Sequence, residues 1–180
     1  MNIKRMGALQ VSLAGRDLDR SPPNLYSEHM AREMTREETG RFLTGQVVGR
    51  IGCHAVDRTY VVPIAYAYRD GALWGFSHEG MKIDMMRSDP RVCVEIDRVE
   101  HLGSWASVIL WGRYEELSGE EASRGASIIA QRLGETISDG ESRRRLEEAL
   151  RQEPRPIVYR IVIEQTSGRI EGDKAHLEPG

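Results

Sequence analysis

At 180 residues and 39% hydrophobic composition, the chain carries enough apolar material for one domain with a substantial core. A net charge of -3 and a pI near 6.0 argue against a basic protein that grips nucleic acid. No apolar run approaches the ~20 residues that cross a bilayer, so a membrane protein is not expected either.

The opening stretch, MNIKRMGALQVSLAGRDLDR, turns charged too early for a secretory signal. Residues 1–26 show no sustained period and include SPPN, so they read as an N-terminal arm or disordered lead-in, with one domain over residues 27–175. Order begins at MTREETGRFL, where Thr35 and Glu38 form a capping box and Phe42 and Leu43 give a short helix its apolar end. QVVGRIGCHAV, TYVVPIAYAY and ALWGFS follow as strands, the last two joined across an Asp-Gly turn. Pro63 cannot donate to a ladder, so its strand belongs at an edge or a bulge, where backbone groups can face a flat heterocycle.

WGFSHEGMKIDMMRSDP joins a strand end to a short helix stopped by Pro90. Ser77 is expected to cap that helix, and Gly80 to expose amides at its start. Lys82 in the first turn opposes the helix dipole unless an anion neutralises it. The alternatives are a phosphate site and a capped turn with an exposed lysine. Ile83 and Met86 are expected in the core. RVCVEID places Val92, Val94 and Ile96 on one face. In SWASVILWGRYEEL the alternation puts Trp105, Ser107, Ile109 and Trp111 together. That mixture suits a groove or an interface, with core as the default reading.

Ser118 with Glu121, and Ser138 with Glu141, read as capping boxes of two further helices. The first has Ala122, Ala126, Ile129 and Leu133 on one face, and the second is a solvated, charged helix. RPIVYRIVIEQTSGRIEG is the last strand. Strands dominate and short turns join most neighbours, so the pattern is mainly β with peripheral helices, an antiparallel barrel rather than a doubly wound sheet. No GxGxxG lies on a strand-to-helix turn. Cys53 and Cys93 lack CxxC or Cys/His spacing. Two buried thiols in a reducing cytoplasm are expected, and no metal site.

GRIGC, TYVVPIAYAYRDGALWGFSHEGMKIDMMRSDPRVCVEID and SWASVILWGRYEEL, in this order and spacing, resemble the flavin-binding split barrels related to pyridoxamine 5'-phosphate oxidase. They are most similar to the nitroimidazole-resistance flavoproteins. The resemblance covers about residues 35–117 and implies a six-stranded antiparallel split β-barrel, a homodimer with FMN between the subunits, and a small-molecule oxidoreductase. It implies that Val61, Val62, Pro63 and Ile64 lie along the flavin ring, and that Phe76, Ser77, His78 and Lys82 belong to the phosphate segment. Trp105 and Ser107 line the groove, and His78 is a proton donor if it faces the ring. Met81 stands where the family often has a second basic residue, which leaves Arg50, Arg58 or Arg87 to replace it. The oxidase's basic residues near the C-terminus have no counterpart, so oxidation of pyridoxamine phosphate is not expected. The alternative within the same fold is a protein that binds flavin, haem or a deazaflavin without turnover; a ligand-free dimeric scaffold is the third.

Overall fold

The computed structural model describes residues 31–55 and 57–172. The arm read over residues 1–26 lies outside them, as do the domain's expected ends at 27–30 and 173–175. The chain enters through β1 (Arg32–Glu33) and α1 (Arg36–Gly45). Thr35 and Glu38 form the expected capping box, and Arg32 grips the Glu38 carboxylate at 2.8 and 2.9 Å. These bonds hold Glu38 down to about 2, chiefly through the Arg32 contact. α1 then buries Phe42 and Leu43 completely.

β2 (Val48–Ala55) and β3 (Arg58–Ala65) pair antiparallel, with Arg50 opposite Pro63. β4 (Ala67–Arg69) turns into β5 (Ala72–Ser77) through Asp70 and Gly71, both with positive φ, as an Asp-Gly hairpin turn requires. α2 (Met81–Ser88) leads to β6 (Arg91–His101) and β7 (Ser104–Glu116). α3 (Gly119–Thr136) and α4 (Gly140–Arg151) precede β8 (Ile157–Glu171).

All eight strands among the described residues belong to one antiparallel sheet, in the order β3-β2-β6-β7-β8-β5-β4 with β1 on β8. The two ends of that path are consecutive in the chain, separated only by Tyr66. The segment expected as one long strand therefore pairs with β2 in its first part and with β5 in its second. Tyr66 is the hinge: its N–H donates to Val47 O at 2.9 Å and its hydroxyl donates to Leu43 O at 3.1 Å. A sheet joined this way curls until its ends meet, consistent with a split barrel. Eight strands replace the expected six because Tyr66 interrupts one run and the two-residue β1 adds another. Pro63 sits in an edge strand, where its missing donor costs no ladder bond.

The barrel interior holds Ile51, Cys53, Val92, Val94, Ile96, Ala106, Val108, Leu110, Tyr159 and Ile161. A second apolar layer, Trp74, Val158, Ile128, Ile129 and Leu133, lies between the sheet and α3. There Gly125 lets helix and sheet approach, since a Cβ would stand 2.8 Å from Val158 Cγ1. β7 and β8 shift register between Trp111 and Gly112, and a Cβ on Gly112 would stand 2.4 Å from Val162 O.

Several local expectations move. Trp105, Ser107, Ile109 and Trp111 do share a face, but it is the outer one, because the alternate residues Ala106, Val108 and Leu110 fill the core. Cys93 is half-buried on that outer face and only Cys53 is buried; both thiols are free. Ser118 precedes α3 without a side-chain cap. Asp139, not Ser138, caps α4, accepting from Ser142 N at 2.7 Å. α2 begins at Gly80, and Ser77 donates its hydroxyl to His78 O at 3.1 Å instead of capping.

Candidate functional site

The turn from β5 into α2 is built from opposite demands. Along β5, Leu73 packs in the barrel core and Trp74 against the α3 layer. Phe76, two residues beyond Trp74, packs toward α3, so its side chain turns away from the barrel. Ser77 falls on the other face. His78, Glu79 and Gly80 are exposed, and Gly80 has φ 156, which favours glycine. α2 then buries Ile83 and Met86, as expected, and packs against β2.

Lys82 is half-buried and is the one lysine among the described residues. It forms no ion pair with any described residue. Burial pushes its ammonium pKa below the ordinary lysine value, and the nearby Cys53 opposes that in part. A cation in the first turn of a helix, partly desolvated and without a carboxylate, is held at a cost. The backbone N–H groups of that turn point the same way and also favour an anion. These donors fit a phosphate.

The other proposed contacts divide. Cys53 pairs with Tyr60, so β3 passes near Lys82. On β3, Val61 and Pro63 are exposed, while Val62 and Ile64 turn inward. Trp105 and Ser107 lie far from this group within one chain. Ser77 pairs with Ile157 at the start of β8, whereas Trp105 pairs with Glu171 at its end, roughly 45 Å along the strand. Trp105 donates its indole N–H to Glu171 at 2.9 Å. Ser107 donates to Glu95 at 3.4 Å, and Glu95 and Asp97 both hold Arg50.

Of the three arginines considered as replacements at Met81, Arg50 is therefore occupied. So is Arg87, which binds Glu79 and Glu116. Arg58 has no ion pair with a described residue, and its place in β3 puts it on the same face as Tyr60 and Val62. Sequence reasoning missed the Glu79–Arg87–Glu116 clamp, whose partners are far apart in the chain. It also missed Tyr159, whose buried hydroxyl has no hydrogen-bond partner among the described residues. Clefts also lie elsewhere. One of about 980 Å³ opens between α3, α4 and the start of β8, and its charged rim includes Arg151, Arg155, Glu120 and Glu153. Among the described residues, no group of three or more His, Cys, Asp or Glu side chains is placed to hold a metal, and no helix is long and apolar enough to cross a membrane.

A sheet whose ends meet at one residue, with an anion-favouring helix start at its rim, defines a small split β-barrel class. The sequence model of the pyridoxamine 5'-phosphate oxidase family matches residues 35–170, and the chain belongs to that family. An uncharacterized protein of Rhizobium meliloti (strain 1021) is 38% identical over 102 residues, 57% of this chain and 68% of that protein. The crystal structure of a FAD-binding protein from Mesorhizobium loti is 33% identical with a TM-score of 0.66, covering 80% of this chain and 98% of its own. A Bacteroides thetaiotaomicron protein proposed to act in 5-nitroimidazole antibiotic resistance is 19% identical with a TM-score of 0.58, covering 78% and 87%, a likeness of fold.

Proposed function

We propose that this chain is a flavin-binding protein that holds FMN and serves as a small-molecule oxidoreductase, acting as a cytoplasmic homodimer. The observation that carries the reading is Lys82: a half-buried ammonium, unpaired among the described residues, on a helix start that presents free amides. The Mesorhizobium loti relative, described as FAD-binding, supports a flavin in general. Ser77, the amides after Gly80 and Lys82 would take the phosphate, with Arg58 as the added cation where Met81 supplies none. Val61, Val62, Pro63 and Ile64 would flank the ring. A bound flavin would supply the electron transfer; the chain's part is to bind, orient and exclude water.

A second copy joins what one copy separates. Among the described residues, four of the six exposed large hydrophobics, Val48, Val61, Val99 and Trp111, lie on the outer face of β2, β3, β6 and β7. Trp105 and Ser107 lie on the same face. Packing this face against its symmetry mate would bury an apolar patch and bring those two residues to the partner's phosphate turn. The two free thiols suit a reducing compartment.

The test is an absorbance spectrum of the purified protein before and after FMN addition and desalting. A retained flavin spectrum, with Lys82→Ala weakening FMN about 10- to 100-fold, is the expected result. Protein that loses FMN on desalting, or that binds it equally well without Lys82, overturns the reading. A binding protein without turnover remains the second reading. It is favoured by one observation: His78, the acid–base candidate of the turn, is exposed and its ring bonds to no described residue. Reduction of the loaded protein by a nicotinamide, followed by transfer to a nitroaromatic or quinone, separates the two. A Soret band would identify haem instead.

A further inference from the structure

The turn that presents Lys82 to an anion also carries a carboxylate that repels one. Glu79 directly precedes Gly80, and its side chain is 63% exposed. Left alone, it would lower the positive potential of the helix start where an anion should sit. It is not left alone. Arg87, at the far end of α2, donates from Nη1 to Glu79 Oε2 at 2.8 Å and from Nη2 to Oε1 at 3.0 Å. On its other edge it donates from Nε to Glu116 Oε2 at 2.8 Å and from Nη2 to Oε1 at 2.9 Å. Tyr114 donates its hydroxyl to Glu116 Oε2 at 3.0 Å.

The fork of Arg87 thus lies between two carboxylates, with four of its donor contacts used. Glu116 belongs to β7 and is anchored through Tyr114, so Glu79 is tied to the sheet as well as to α2. This arrangement rules Arg87 out as the missing phosphate partner and gives it another part.

We propose that Arg87 sets the phosphate affinity of the turn by holding and neutralising Glu79, so that this carboxylate does not cancel the charge of Lys82. The inference rests on the flavin-phosphate reading above. Arg87 is a positioning residue here, and it touches no cofactor atom. A purely structural strut between α2 and β7 would affect every ligand of the site alike. A charge mask affects only ligands that carry the phosphate, and its loss is repaired by removing the charge it masks.

The full chain is titrated with FMN and with riboflavin, which lacks the phosphate. Arg87→Ala is expected to weaken FMN about five- to tenfold and to leave riboflavin unchanged. Adding Glu79→Gln to Arg87→Ala is expected to restore FMN affinity to within about threefold of wild type, because the unmasked carboxylate next to Gly80 is gone and Glu116, held by Tyr114, stays on β7. Equal losses for both ligands, no loss at all, or no rescue in the double variant each overturn the proposal. If Arg87→Ala does not fold, Glu79→Gln alone decides: FMN affinity equal to or above wild type supports the mask, and a tenfold loss overturns it. Failure of the underlying reading is seen separately, because wild-type protein would then fail to prefer FMN over riboflavin.

Discussion

The two faces of β2, β3, β6 and β7 follow one alternation and end in opposite states. On the inner face Ile51, Val94, Ile96, Val108 and Leu110 are 0% exposed. On the outer face of the same sheet region, Val61 is 60%, Val99 61% and Trp111 42% exposed. Both faces are apolar at these positions, so hydrophobicity does not separate them. What separates them is that the chain curls its sheet around one face and leaves the other uncovered. A monomer that solved its whole folding problem would not spend valines and a tryptophan there. The inner face answers to the fold; under the proposed dimer the outer face answers to a second copy, and variants on each should behave accordingly.

The largest effect belongs to the inner face. Leu110→Ala removes a wholly buried side chain from the middle of β7, and should cost about 2–5 kcal/mol in denaturant unfolding. Its outer neighbour Trp111→Glu is the counterpart. Monomer stability should change by less than about 1 kcal/mol, while the dimer dissociation constant should rise about tenfold or more. Sedimentation across a dilution series reads the second, and denaturant melts read the first. A Trp111→Glu variant that unfolds as readily as Leu110→Ala, or that keeps its association unchanged, would break the comparison.

The next effect concerns the polar closure of the barrel. Glu38 is buried, capped by Thr35 and gripped by Arg32, and its pKa falls to about 2 from an ordinary 4.5. A carboxylate whose folded pKa is depressed stabilises the fold fully above its unfolded pKa. That contribution is lost as pH falls toward the folded value. Stability should therefore decline between about pH 4.5 and about pH 2. Glu38→Gln should lower stability at pH 7 and flatten that part of the acid profile. An unchanged slope would show that Glu38 is not among the groups that titrate there.

Much of this was legible because it is local. The capping box at Thr35, the Asp-Gly hairpin, the alternation of Val92, Val94 and Ile96, and the edge position of Pro63 all follow from a few neighbouring residues. The break at Tyr66 was not legible, because it depends on Val47 and Leu43 accepting its two donors. Nor was the side on which Trp105 and Trp111 fall. Period-2 alternation groups residues by face, but the choice of buried face is made by the rest of the barrel. Lys82 was legible as an odd cation in a first helical turn. Its lack of a carboxylate partner among the described residues, and the full occupation of Arg50 and Arg87, are facts of tertiary packing. Ser77 and Ser138 were misassigned as caps because serine near a helix start is a frequent signal, whereas the cap itself is set by which residue's φ and ψ leave the helix.

The smallest effect is a difference in sign between two tyrosines of the barrel core. Both are almost fully buried, and both hydroxyls are removed by the same conservative change. Tyr66 donates to Leu43 O at 3.1 Å, so Tyr66→Phe deletes a hydrogen bond and leaves a buried carbonyl with one partner fewer. A loss of about 1 kcal/mol is expected. Tyr159 has a hydroxyl without a partner among the described residues, and it lies over Gly75, where a Cβ would come within 2.7 Å of the oxygen. Tyr159→Phe removes a buried polar atom that gains nothing from the protein, so it should be neutral or stabilising by up to about 1 kcal/mol. Thermal melts of the two variants measure the difference directly. If Tyr159→Phe destabilises as much as Tyr66→Phe, the hydroxyl has a partner that the chain does not supply. The barrel interior would then hold a polar guest, and the inner face would no longer be complete in itself.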